Sequence, residues 1–178
     1  MEQDIASIRQ AIRDIPDFPR PGIVFKDITP LLRNGPLFGK TIDLLAGRYR
    51  SQKIDTVLGI ESRGFIVGSA LAYALGAGFS LVRKPGKLPY ETHKASYQLE
   101  YGTDTLEIHI DGLPKHARVV IADDLIATGG TAAATAELVS NLGCTVVECA
   151  FVIELSSLKG REKLKPYGVF SLLQYDSE

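Results

Sequence analysis

One stretch, Arg118 to Ala134 (RVVIADDLIATGGTAAA), constrains this chain more than any other. It opens on Val119-Val120-Ile121, a β-branched run that reads as a buried strand. Asp123 and Asp124 follow side by side. Next come the small residues Ala127-Thr128-Gly129-Gly130-Thr131, and then an alanine-rich segment, Ala132 to Leu142, that favours a helix. Strand, acidic pair, glycine turn and helix, in this order, make a cradle for a sugar phosphate. Glycines let the backbone approach an anion closely. The unpaired N–H groups and positive dipole end of the helix then face that anion, and Thr128 and Thr131 add hydroxyl donors. The acidic pair stands at the carboxyl end of the strand, where an α/β sheet places ribose hydroxyls. Each part alone has a plainer meaning: a tight turn, a solvated acidic pair, an N-cap threonine. The combination is what carries the reading.

The same plan recurs along the chain. Thr56 to Ile60 is a second buried strand, running into Glu61-Ser62-Arg63-Gly64 and a helix that continues to Leu75. Further strands are expected over Phe79–Val82, Thr145–Val152 and Val169–Leu173, and a helix over 36–51 with Leu37, Leu44, Leu45 and Tyr49 turned to the core. Alternating strands and helices predict an α/β fold, a doubly wound, mostly parallel sheet with flanking helices. The 178 residues suit a single domain, 1–178. At the N-terminus, residues 4–15 put Ile5, Ile8, Ile12 and Ile15 on one helical face, and Pro16 closes that helix.

Composition excludes several classes of function. Twenty Lys and Arg against 21 Asp and Glu give a net charge of −1, which argues against a nucleic-acid partner. No run is apolar enough to span a membrane, and the N-terminus lacks the apolar core of a secretion signal, so a cytoplasmic setting is expected. Cys144 and Cys149 fit no zinc spacing and read as core or near-core thiols. Gly39-Lys40-Thr41 imitates the end of a P-loop, but position 34 is Asn and no strand precedes it.

Three other stretches stand out. Asp17-Phe18-Pro19-Arg20-Pro21-Gly22 is a stiff loop leading into Ile23–Ile28. Arg83-Lys84-Pro85-Gly86-Lys87 places three cations within five residues, a counter-charge suited to a polyanion. Alternation from Ala95 to Ile108 predicts a two-stranded ribbon turning at Gly102-Thr103.

Together these motifs resemble the type I phosphoribosyltransferases, which bind phosphoribosyl pyrophosphate (PRPP). The segments FPRPGIVFKDI (18–28) and SYQLEY (96–101) are similar to those of the adenine-specific members, and the likeness spans roughly residues 12–175. The resemblance implies purine salvage: adenine and PRPP, with Mg²⁺, give AMP and pyrophosphate. It assigns Ala127, Thr128, Gly129, Gly130 and Thr131 to the 5′-phosphate. Asp123 and Asp124 take the ribose diol and reach the metal through water. Glu61, Ser62 and Arg63, with a cis peptide at Glu61–Ser62, face pyrophosphate together with Arg83, Lys87 and Tyr101. Val24 and Lys26 offer main-chain groups to adenine, Phe25 covers the ring and Leu125 lies below it. Glu100 is the catalytic acid/base and Arg63 the second catalytic group. The resemblance further implies an N-terminal helix and purine hood over residues 1–34, a mobile β-ribbon lid over 95–110, and a homodimer, partly through the Arg63 helix. Two alternatives stay open from sequence: an enzyme for 6-oxo purines, and a PRPP-sensing regulator without catalysis.

Overall fold

The computed structural model describes residues 2–98 and 103–176. The chain opens with α1 (Glu2–Gln10), β1 (Arg13–Pro16), β2 (Val24–Asp27), α2 (Thr29–Arg33) and α3 (Gly35–Tyr49). Next come β3 (Thr56–Ile60), α4 (Arg63–Leu75), β4 (Gly78–Val82), β5 (Thr92–Gln98) and β6 (Thr103–His109). It closes with β7 (Arg118–Ile126), α5 (Gly130–Asn141), β8 (Thr145–Leu155), the short turn α6 (Gly160–Lys163) and β9 (Val169–Tyr175). Among the described residues no helix is long and apolar enough to cross a membrane.

Five strands make the central sheet, in the order β4-β3-β7-β8-β9. Every pairing in it is parallel. Side chains alternate across each strand, and here both faces are covered. Leu58, Ile60, Val119, Ile121 and Phe151 pack with Leu138 and Val139 of α5. Val57, Val120, Ala122 and Val152 pack on the other face with Ile8, Leu45, Tyr49 and Leu71. Double burial is why these strands read as continuous apolar runs. The chain leaves β3 and β7 toward opposite faces, α4 on one and α5 on the other. That reversal opens a crevice at the carboxyl ends of the two strands.

The β5–β6 ribbon is antiparallel, with Ala95 opposite Leu106 and His93 opposite Ile108. Ala95, Leu106 and Ile108 are buried in the same core as α5. The root of the ribbon is therefore fixed to the domain.

Two local expectations change. The helix expected over 4–15 stops at Gln10, and Arg13–Pro16 pairs antiparallel with β2, Ile15 opposite Phe25. The pairing supplies the hydrogen bonds that a longer helix would have made. It is pinned by Arg13, which donates to the buried Asp27 carboxylate at 3.0 and 2.6 Å. Asp123, Asp124 and Leu125 lie within β7 rather than beyond it, because β8 continues to pair with β7 as far as Ile126.

Gly64 lets α4 approach β7 closely. A Cβ there would stand 2.8 Å from both the Ala122 carbonyl oxygen and Asp123 Oδ1. Gly47, inside α3, has nothing within 4 Å of the same position. Gly64→Ala should therefore lower stability by about 1–3 kcal/mol through overpacking. Gly47→Ala should raise it by up to about 1 kcal/mol through helix propensity. Urea denaturation of both variants tests this; equal effects would contradict the close approach.

Candidate functional site

Two helix N-termini meet at the crevice. α5 starts after Gly129, whose φ is +77°, and α4 starts after Ser62. Neither Gly129 nor Ser62 makes a side-chain capping bond among the described residues. The first N–H groups of both helices thus point outward without intrahelical partners, at the positive ends of two dipoles. The peptide between Glu61 and Ser62 is cis. Over the α5 end lies a cavity of about 120 Å³, whose walls include Asp123, Leu125, Ala127, Thr128, Gly130 and Thr131. The loop and helix start read from sequence as a phosphate cradle are thus the lining of one concavity.

The acids stand beside it. Asp124 is 4% exposed and accepts from Arg63 Nε at 2.5 Å. Asp123 Oδ1 accepts the Asp124 N–H at 2.8 Å. Burial, and then the neighbouring Asp124 charge, push the Asp123 carboxyl well above the ordinary carboxylate range. Arg63 reaches a second group: its guanidinium lies 5.2 Å from the centre of the Phe25 ring. One side chain therefore spans the acidic pair and the N-terminal hood.

Within the hood, Phe25 meets Phe18 edge to face at 5.2 Å. Val24 and Lys26 alternate with Phe25 along β2 and point to the other side. Lys26 Nζ donates to Asp14 at 2.8 Å and sits 4.5 Å from the Tyr175 ring. With its side chain engaged there, Lys26 has only its main chain to offer a ligand on the Phe25 side.

The basic loop after β4 gathers on Glu61. Its carboxylate accepts from Lys87 Nζ at 2.7 Å, from Arg83 Nη2 at 3.2 Å and from the Lys84 N–H at 3.0 Å. Arg83 Nε is buried without a hydrogen-bond partner among the described residues. The loop is also tied to the ribbon. Arg83 and Glu107 exchange main-chain hydrogen bonds of 3.0 and 2.7 Å, and Glu107 Oε2 accepts the Gly86 N–H at 3.2 Å.

Sequence reasoning named no role for Tyr97 beyond its place in the ribbon. Its hydroxyl accepts from Thr131 Oγ1 at 3.2 Å and donates to Asp104 at 3.3 Å, while Lys84 pairs with Asp104 at 3.1 Å. This chain of contacts joins cradle, ribbon and basic loop. Strand alternation placed Tyr97 on the same side as Ala95, the side that faces α5, but a partner across such a distance in sequence leaves no local pattern. Glu100 and Tyr101, the two remaining candidates, lie outside the described residues.

A family model for the phosphoribosyl transferase domain matches residues 28–177. The adenine phosphoribosyltransferase of Syntrophotalea carbinolica is 62% identical over 168 residues, covering 94% of this chain and 98% of that protein. The structure of adenine phosphoribosyltransferase from Rhodothermus marinus superposes with a TM-score of 0.94 at 53% identity, covering 98% of this chain and 100% of that one. The Saccharomyces cerevisiae adenine phosphoribosyltransferase, complexed with D-2,5-dideoxy-2,5-imino-altritol 1,6-bisphosphate and adenine, superposes with a TM-score of 0.92 at 47% identity. That match covers 97% of this chain and 100% of the yeast one.

The Glu61 cluster has a pH signature. Burial alone would raise the Glu61 carboxyl, but Lys87, the Lys84 N–H and Arg83 outweigh it and hold the group at about 2, below its ordinary 4.5. A carboxyl depressed in the fold stabilises it above the unfolded value and loses that contribution as the pH falls. The contribution should be complete above pH 4.5 and fade toward about pH 2. Glu61→Gln should flatten this acid limb in urea denaturation across pH; parallel curves for parent and variant would contradict it.

Proposed function

The chain belongs to the phosphoribosyltransferase family and, within it, to the adenine phosphoribosyltransferases, and on that premise we propose how its residues carry the reaction. It transfers the 5-phosphoribosyl group of PRPP to adenine, giving AMP and pyrophosphate. The observation that carries the assignment of roles is Arg63, whose guanidinium joins Asp124 at the sugar end to Phe25 at the base end.

The 5′-phosphate of PRPP lies in the Ala127–Thr131 cradle, met by loop and helix amides and the threonine hydroxyls. Asp123 and Asp124 take the ribose hydroxyls. The amides of the Glu61-Ser62-Arg63 loop, with Arg83, Lys87 and Tyr101, take pyrophosphate. Arg83 and Lys87 exchange the Glu61 carboxylate for phosphate oxygens, and the unpartnered Arg83 Nε supports a ligand there. Adenine lies between Phe25 and Leu125, its edge read by the main chain of Val24 and Lys26. Adenine N9 attacks C1′ opposite the departing pyrophosphate, so configuration at C1′ inverts. Glu100 manages the proton on the imidazole part of the base as the lid closes and excludes water. Arg63 holds the acidic pair and the base in line.

Among the described residues no three His, Cys, Asp or Glu side chains converge on a metal site, and Asp124 is engaged by Arg63. Asp123 and Asp124 would hold a Mg²⁺ through water. A Mg²⁺ there would supply positive charge to the leaving pyrophosphate.

The chain acts as one domain, with the hood over residues 1–34 and the lid within 95–110. The buried root of the ribbon leaves closure to its outer part. A homodimer is supported by the apolar side chains that α4 and its neighbour leave exposed, Ile66 at 42%, Tyr73 at 91% and Phe79 at 37%. The free thiols Cys144 and Cys149 suit a reducing, cytoplasmic compartment.

A base-competition assay tests this reading. Given PRPP, Mg²⁺ and adenine, hypoxanthine, guanine or xanthine, the protein should form nucleotide from adenine alone; product only from a 6-oxo base would overturn the account of the hood. Glu100→Gln should lower kcat at least about a hundredfold with KM for PRPP little changed. An unchanged kcat would remove Glu100 from the proton transfer.

A further inference from the structure

We infer that Gly160, held by the Arg161–Glu154 pair, is the platform on which the 5′-phosphate cradle is set, making these three positioning residues for PRPP. The inference rests on the cradle assignment of Ala127–Thr131 and deepens it.

The cradle follows β7, whereas Gly160 follows β8, yet the two backbones touch. A Cβ on Gly129 would stand 2.3 Å from the Gly160 carbonyl oxygen. A Cβ on Gly160 would stand 2.3 Å from the Ala127 carbonyl oxygen and 3.0 Å from the Gly129 nitrogen. Neither position admits a side chain. Gly129 holds the left-handed conformation that starts α5 and turns its amides outward. The buried Gly160 backbone lies against that residue and stops the loop from relaxing.

What holds Gly160 is its neighbour. Arg161 donates to both Glu154 oxygens, Nε at 2.5 Å and Nη2 at 2.6 Å, and Nη1 donates to the Val169 carbonyl at 2.9 Å. Ser171 Oγ donates to Glu154 Oε2 at 2.6 Å. Glu154 is 4% exposed and sits in register with Ile126, the last residue of β7 before the cradle. The planar guanidinium fork thus fixes the α6 turn to the point where the cradle leaves the sheet. Arg161 reaches the cradle through Gly160, so its loss should be felt by the substrate that carries the phosphate.

Steady-state kinetics in both substrates, on full-length Thr128→Ala, Gly160→Ala, Arg161→Lys and the control Gly39→Ala, test this. Gly39 has nothing within 4 Å of its Cβ position and should match the parent. Gly160→Ala should raise KM for PRPP about tenfold, and Arg161→Lys about fivefold, with KM for adenine changed less than about twofold. Should Gly160→Ala fail to fold, Arg161→Lys decides alone. If Thr128→Ala raises KM for PRPP while the platform variants leave it within about twofold, the platform is overturned and the cradle stands. If Thr128→Ala leaves KM for PRPP unchanged, the cradle assignment fails and the platform with it. A rise in both KM values together with a lower Tm would mark Gly160 and Arg161 as merely structural and overturn the inference.

Discussion

β3 ends at Ile60, while its parallel neighbour β7 runs on to Ile126 with β8 still paired along its other edge. The site depends on this unequal length. Past Ala122 the pairing of β7 with β3 stops among the described residues. Asp123 and Asp124 come at that point, still rigid because β8 holds their backbone, yet facing the crevice. The loop leaving β3 carries Glu61 to Arg63 into the same space from the other face. A strand longer than its neighbour therefore converts a parallel sheet, which would otherwise bury every residue, into a walled notch with two helix ends aimed at it.

Charge in that notch is partly offset by internal carboxylates. Glu61 gathers Arg83 and Lys87, and Asp124 gathers Arg63. Cations crowded around a polyanion site would repel one another if left alone. Internal carboxylates hold them in place. The cations keep contact with solvent: the Arg63 and Lys87 side chains are 43% and 48% exposed.

Much of this was legible in the sequence because it rests on local chemistry. The strands Thr56–Ile60 and Val169 onward, the α4 boundaries and the glycine turn before α5 have short signatures, while the Glu61–Ser62 cis peptide was implied by the family resemblance. What escaped is decided by distant partners. Ile12 and Ile15 fit a helical stripe, but the second joins a strand because β2 is there to pair with it. The extent of β7 depends on β8. The Thr131–Tyr97 contact joins residues 34 apart in the chain. Gly160 carries no sequence signature, because a glycine in a charged loop gains meaning only when another backbone is found against it.

The touching backbones of Gly129 and Gly160 also limit how this chain can vary. A clash between side chains can be relieved by a second substitution that trims the neighbour. Here each obstacle is main chain, the carbonyl of Gly160 for one and the carbonyl of Ala127 for the other. No exchange of residue type removes a carbonyl, so no compensating change makes room. The two positions are closed to mutation from both sides at once. The nearby cradle residue Thr128, exposed at the rim, is free of that restriction. Drift in this part of the protein is channelled to the side chains at the rim, while the frame beneath them is locked by geometry.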